Sequence, residues 1–547
     1  MGNIKKLISL FLIVFLVISV IHISYNVRLI TKAPSAGWSR NLRIDNVFFN
    51  RKPLCTASKE GQILFISPYE KDKGKLNIKL FDKNLAILRE EIASNENLNF
   101  NKINSDEIYL NNDILYWRDN VDDKVYIGKI SDDLKNIHIE KSFESISKMT
   151  FYADGENKFL GLINKDRKTD IYKINDGDLE LVKNTPQIDN ADNLRLSCNN
   201  GVLYLQVAQK SIDSGLKNIL ITEFKDGEWN EPKILSQIKE LKLKVMDMNV
   251  GYDKDYVYSL TTIQGSDKTR FTYIIDGYRQ SDHEKFKTIK LEEGFSQGIG
   301  CFSSIPSLAE NGEAGFKIAT TAPTTLDLYS HGISNVVNLT IGSTGIKDVQ
   351  LLSKTRSWSN RPTYLKMGEE YVFWNEPGVG DYTLVNAATT EKSVVDSTVS
   401  KNFGDIKEAI GQEIPAATSY TFLLSFAGRF ISLAPALAWL LYIFLNNEKI
   451  SNRGDKVFIL GVIIYLLFQV KTINGFYTPS SMIYMPEFLK NEAIKYLLPV
   501  GFTAIGYMAA YILKKNNEYI ECYKTYTVFL AFAFLLMNYF YAPYMFI

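Results

Sequence analysis

The chain has 547 residues, 62 Lys+Arg against 61 Asp+Glu for a net charge of +1, and 46% hydrophobic residues. That balance excludes a strongly basic nucleic-acid binder and an acidic disordered tail, and the length is well beyond one domain of roughly 150 residues. The average hides two compositions: residues 7–25 and 420–547 are largely apolar, whereas residues 26–419 are polar and rich in Lys, Asp, Asn, Ile and Tyr.

Residues 1–25 read as an N-terminal transmembrane anchor. Residues 7–25 carry no formal charge and follow Lys5 and Lys6. Their length meets the ~20 apolar residues that cross a bilayer core and exceeds the roughly 7–15 of a signal-peptide core. An uncleaved signal anchor is expected. The alternative is cleavage at Ala33-Pro34-Ser35-Ala36, which contains a proline and lies away from the apolar run. Residues 26–39 read as a linker.

Residues 40–400 repeat. Hairpin-like pairs recur at residues 62–66 with 75–80, 113–117 with 124–127, 158–163 with 170–174, 201–205 with 218–221, 256–258 with 271–275, 315–318 with 326–329, and 370–374 with 382–385. Their anchors Ile63, Ile114, Phe159, Val202, Tyr256, Phe316 and Tyr371 are spaced 51, 45, 43, 54, 60 and 55 residues apart. Propeller repeats run about 40–50 residues. The segments are β-branched and aromatic, alternate with near period two, and are bounded by turns such as Asn199-Asn200-Gly201 and Lys225-Asp226-Gly227. A single such unit cannot bury both faces, but stacked blades can. The fold class is therefore an all-β ectodomain, a seven-bladed β-propeller, with an α-helical transmembrane domain of one N-terminal and four C-terminal helices. One large sandwich, or two, is the alternative. A closed ring also brings its two ends together, so the linkers at 26–39 and 401–419 can reach one membrane face.

Residues 420–547 read as a four-helix transmembrane domain, with helices at 420–445, 457–477, 494–513 and 527–547. The second holds an apolar run of only 14 residues, 457–470, a length that also fits a re-entrant segment. Lys471 can snorkel, with the helix continuing to residue 477. Lys5, Lys6, Lys449, Arg453, Lys456, Lys514, Lys515 and Lys524 place the N-terminus and two short loops on the cytoplasmic side. Residues 26–419 are then extracytoplasmic in a multi-pass protein of the cell membrane. Gly428/Ser432 and Gly506/Ala510 offer small-residue faces for helix packing, and Asn538 is placed to bond a neighbouring helix.

Within the polar region, Asp226-Gly227-Glu228-Trp229-Asn230-Glu231-Pro232-Lys233-Ile234-Leu235 resembles the outer-strand phrase of sialidase-like and related bacterial β-propellers. Arg361-Pro362-Thr363-Tyr364-Leu365, followed by residues 369–374, resembles the strand pair that opens a following blade. The resemblance is at class level, covers the polar region only, and implies the propeller fold. The Ser-x-Asp-x-Gly-x-Thr-Trp box and the arginine-containing opening motif of sialidases do not occur, so the resemblance implies no active-site residue.

No metal, cofactor or catalytic residue is expected. His22 lies at a membrane boundary, and His138, His283 and His331 read as surface residues; none sits at a ligand spacing. Cys55, Cys198 and Cys301 fall in units one, four and six, which are not neighbours in a ring; with Cys522 they read as free thiols. Asp189-Asn190-Ala191-Asp192-Asn193 and Asp176-Gly177-Asp178 supply oxygen ligands without completing a calcium loop, and turn chemistry explains them equally well. Asp119, Asp122, Asp123, Asp132 and Asp133 are plentiful carboxylates, but acid–base catalysis needs two that converge. Arg429 is the candidate functional membrane residue, a formal charge ~13 Å inside a span at 1.5 Å per residue; snorkelling is the alternative. The expected function is a binding scaffold or sensor for an envelope component or partner protein. The alternatives are a transport or export component and an extracellular glycan-active enzyme. Expected partners are the lipid bilayer and an envelope protein or glycan, with no nucleic acid.

Overall fold

The computed structural model describes the whole chain except residues 1, 48–50, 59, 70–73, 105, 156, 176–177, 212–214, 240–242, 266–269, 314, 426–429, 451–453, 516–519 and 546–547. The chain divides into two units, Ala33–Val399 and the pair of segments Met1–Lys32 and Ser400–Ile547.

The first unit is built from seven antiparallel sheets, one to a blade, and it is a seven-bladed β-propeller. All seven sequence anchors fall in the second strand of a blade: Ile63–Pro68, Ile114–Asp119, Asn157–Asn164, Val202–Lys210, Tyr256–Gln264, Gly315–Pro323 and Glu369–Pro377. These strands are buried along most of their length because blades on both sides cover them; every residue of Ile63–Pro68 is buried. The outer strand Ile87–Ser94 alternates and exposes most of its residues, since only one of its faces has a neighbour. In blade six the third strand is Ser334–Gly342, not residues 326–329. Turn chemistry takes that earlier stretch: Thr324 Oγ1 accepts from the Leu326 amide at 2.9 Å and Asp327 Oδ1 from the Tyr329 amide at 2.9 Å.

The ring closes through the first strand of the chain. Leu42–Val47 is the outermost strand of blade seven and pairs with Thr383–Thr389, from Leu42 opposite Ala387 to Val47 opposite Thr383. The first strand of that blade, Asn360–Met367, packs in turn on the first strand of blade one, Leu54–Ala57. Main-chain hydrogen bonds between the two ends of the unit thus hold the wheel shut. Because the strands alternate in direction, the unit's chain enters and leaves on one face. The connections that lead into each blade's first strand lie on the opposite face.

In the second unit the first helix is Gly2–Thr31. Residues 401–419, assigned to a linker from sequence, contain the helix Phe403–Pro415 with a capping box between Asn402 and Asp405. Phe430–Leu445, Gly454–Thr472, Glu492–Lys515 and Cys522–Met545 follow. Among the described residues, four helical stretches are long and apolar enough to cross a membrane: Lys5–Thr31, Gly454–Phe476, Glu492–Lys515 and Cys522–Met545. A 3-10 turn, Ile473–Phe476, extends the short apolar run past Lys471. Ile431–Leu445 is a shorter apolar helix. Cys522–Met545 is the most enclosed of the four spans. Gly506 lets its helix approach this one: a Cβ there would meet Ala533 Cβ and the Phe529 carbonyl oxygen at 2.8 Å. Asn538 donates to Ser425 Oγ at 3.0 Å, as its place in an apolar helix requires.

Candidate functional site

First strands of propeller blades line a central channel, so charges on them converge even when their blades are not neighbours. Lys52 and Cys55 belong to blade one, Asp106 and Tyr109 to blade two, Arg195 to blade four and Asp247 to blade five. Arg195 and Asp247 form an ion pair, with Arg195 Nε also donating to the Met248 carbonyl at 3.1 Å. Burial alone lowers the affinity of the Arg195 guanidinium for its proton, but Asp247, Tyr109 and Asp106 more than offset this, and its pKa rises. Lys52 touches solvent, yet the surrounding protein pushes its pKa down, with Asp247 opposing. Lys52 of blade one and Asp247 of blade five thus feel each other's charge across the ring. Burial raises the Tyr109 phenol to about 12, with Arg195 opposing, and the Cys55 thiol to about 12, with Lys52 opposing.

Two arginines extend this cluster. Arg361 is the second residue of the first strand of blade seven, with φ of +51° at an irregular register. It makes no hydrogen bond or ion pair among the described residues, and burial lowers its pKa. Its charged neighbour is another cation, Arg51, whose guanidinium donates to the Phe100 and Ile103 carbonyls and lies 5.3 Å over the Phe100 ring. Lys52, Asp106 and Arg361 sit at or just before the start of first strands, so the cluster lies toward the face opposite the unit's chain ends. Lys52, Arg51, Arg195 and Arg361 outnumber Asp106 and Asp247. The mouth is therefore suited to an acidic group.

The carboxylates singled out from sequence are mostly engaged. Lys102 holds Asp119 and Asp122 at 3.6 and 3.2 Å. Asp123 pairs with Arg118 at 3.0 Å and Lys165 at 2.7 Å, and Arg118 also pairs with buried Glu107 at 2.9 Å. Asp132 and Asp133 present carbonyls to Arg89. Asp192 is held by Lys217 at 2.8 Å and Lys210 at 3.5 Å, and Asn190 accepts from Arg167. Asp176 and Gly177 lie outside the described residues. Among the described residues no three His, Cys, Asp or Glu side chains gather as a metal would need. The four cysteines are free; Cys301 sits on a bend rather than a strand.

Arg429 also lies outside the described residues. The second unit carries ionisable groups that sequence reasoning passed over. His22 is fully buried within this unit, and its Nδ1 lies 3.0 Å from Oε1 of Glu413, itself buried. The Tyr539 hydroxyl bonds the same oxygen and also Ser19 Oγ at 2.6 Å. The one signal available in sequence was a histidine inside an uncharged apolar run.

No family model matches the chain, and no curated protein sequence does. Solved structures similar to it include the polysaccharide lyase Uly1, with 9% identity, a TM-score of 0.40, and coverage of 62% of this chain and 89% of that one. The β-propeller domain of the Trilobed protease from Pyrococcus furiosus has 9% identity, a TM-score of 0.36, and coverage of 60% and 93%. Trypanosoma rangeli sialidase has 14% identity, a TM-score of 0.33, and coverage of 72% and 64%.

Proposed function

We propose that this is a multi-pass protein of the cell membrane whose propeller lies outside the cytoplasm and binds an acidic component of the envelope, as scaffold or sensor. The observation that carries the reading is the cation-rich channel mouth, where Arg361 is partly buried beside Arg51 and has no acidic partner among the described residues. An unpaired, partly desolvated guanidinium gains most from a carboxylate or phosphate that fills its donors. The lysines and arginines flanking the apolar segments support the orientation.

The test is association of the full chain in lipid nanodiscs with a uronic-acid polymer and with a polyol-phosphate polymer. Saturable, salt-sensitive binding that weakens about tenfold in Arg361→Gln, roughly the loss of one charge-assisted contact, is expected. No saturable binding to either polymer would reject the reading. Cleavage of the polymer would replace it with the glycan-active alternative.

A further inference from the structure

The helical unit encloses an acid and a base where an apolar bundle ordinarily holds neither. His22 comes from the helix Gly2–Thr31 and Glu413 from Phe403–Pro415. On one side of the imidazole, Nδ1 lies 3.0 Å from Glu413 Oε1; on the other, Nε2 lies 3.1 Å from the Phe540 carbonyl oxygen. A carbonyl only accepts, so Nε2 carries a hydrogen. The contact between Nδ1 and Oε1 is then a hydrogen bond only if a second hydrogen lies on that line.

Counting hydrogens across the cluster sharpens the point. Five contacts form a chain: Phe540 carbonyl to His22, His22 to Glu413, Glu413 to Tyr539, Tyr539 to Ser19, and Ser19 to the Phe15 carbonyl at 3.0 Å. Five hydrogen bonds need five hydrogens. Nε2 and the hydroxyls of Tyr539 and Ser19 supply three. Each proton taken up by His22 or Glu413 completes one more bond. With neither, an imidazole lone pair faces a carboxylate at 3.0 Å in a site that excludes water, which is costly. With one, the pair is neutral overall.

A second observation places that proton. Glu413 Oε2 and the Tyr544 hydroxyl are buried and have no hydrogen-bond partner among the described residues. An unpartnered carbonyl oxygen of a neutral acid costs less than an unpartnered carboxylate oxygen. The acid form of Glu413 is therefore the resting seat. Moving the proton along the line breaks Oε1–H, forms Nδ1–H, and separates one negative from one positive charge. The titratable groups facing the pair are Tyr539 and Tyr544 of Cys522–Met545, with rings 5.4 and 5.8 Å from the imidazole. Tyr25 stands beyond, against Tyr544, and Arg28 and Glu487 are its charged neighbours. Glu492–Lys515 presents Phe502 to Phe540, a group that does not titrate. On the Glu413 helix the next acid back is Glu408.

We propose that His22, Glu413, Tyr539 and Ser19 form a proton-binding site inside the helical unit. One proton rests on Glu413 and is shared with His22. Tyr539 and Ser19 extend the hydrogen-bonded chain one turn along the first helix.

The test is an infrared titration of the full chain in lipid nanodiscs, with proton concentration as the probe. A protonated-carboxyl band present at neutral pH and shifted in heavy water is expected. It disappears in Glu413→Gln, moves in frequency in Tyr539→Phe and His22→Gln, and stays in Glu408→Gln. Absence of the band at neutral pH, or its survival in Glu413→Gln, overturns the proposal. Should Glu413→Gln fail to fold, an unmoved band in folded Tyr539→Phe and His22→Gln overturns it equally.

Discussion

The two units place their polar groups in opposite senses. The propeller packs apolar side chains between blades and keeps many of its charges on the outer strands and the rim, and those it buries are held by partners, as Arg118 holds Glu107 and Lys354 holds Asp327. The helical unit turns apolar side chains outward: Leu16, Ile431, Leu467 and Leu497 are each more than half exposed. Its acid, base and hydroxyls are enclosed. Both arrangements follow one rule, that a polar group must find either water or a partner. What differs is which side of the structure can supply the water. An outward apolar surface suits lipid, where polar partners must come from within.

The sharpest way to break this comparison is to empty a blade interior. Trp117 is fully buried, stacks on Tyr126 at 5.3 Å and donates Nε1 to the Asn97 carbonyl at 3.2 Å. Trp117→Ala is expected to destabilise the propeller by about 3–5 kcal/mol in denaturant unfolding. A cost near that of an exposed site would mean that the blades do not pack as described. Next come close approaches in each unit. A Cβ at Gly251 would lie 2.6 Å from the Phe316 ring of the next blade, and at Gly506 it would meet the last helix. Gly251→Ala and Gly506→Ala should each cost about 1–3 kcal/mol by thermal unfolding.

A smaller effect tests the enclosed acids of the propeller. Glu376 accepts from Trp374 Nε1 at 2.9 Å and Thr355 Oγ1 at 3.2 Å, and burial raises its pKa above the ordinary 4.5 despite these bonds. The folded state then holds its proton more tightly than the unfolded state. That contribution to stability is present below about pH 4.5 and is lost as pH rises above it. Glu376→Gln should raise the melting temperature at pH 8 relative to the wild type, with the gain shrinking toward pH 4. A gain independent of pH would show that burial of charge is not the cause. The least disruptive test is thiol labelling at pH 8. Cys55 and Cys301 are both partly exposed, but Cys55, its pKa pushed to about 12 by the surrounding protein, should react at least ~10-fold more slowly than Cys301.

Most of the propeller was legible because its signal is local and repeated. Seven runs such as Gln62-Ile63-Leu64-Phe65-Ile66 mark strands covered on both faces, and they recur at blade spacing. The error at residues 326–329 arose because Leu326-Asp327-Leu328-Tyr329 alternates like a strand, whereas Asp327 is engaged in a turn and a buried pair with Lys354 at 3.3 Å. Closure by Leu42–Val47 left no mark in that segment: strand partners as distant as Leu42 and Ala387 cannot be read from either strand alone. The channel cluster was hidden for the same reason. Arg195 and Asp247 are ordinary charges in their own strands and become a site only when blades four and five are set around an axis. Glu413 sat in a stretch set aside as a linker, and nothing local ties it to His22.

By itself the sequence determined which segments are oily, which are pleated, and how many times the pleated unit recurs, because hydropathy and side-chain period act over a few residues. Tertiary structure alone decided which strand shuts the wheel, which charges share its axis, and that a histidine, a glutamate and a tyrosine from three distant helices meet away from water. Those outcomes depend on burial and on the pairing of groups hundreds of residues apart, where the energy of each group is set by neighbours its own segment does not contain.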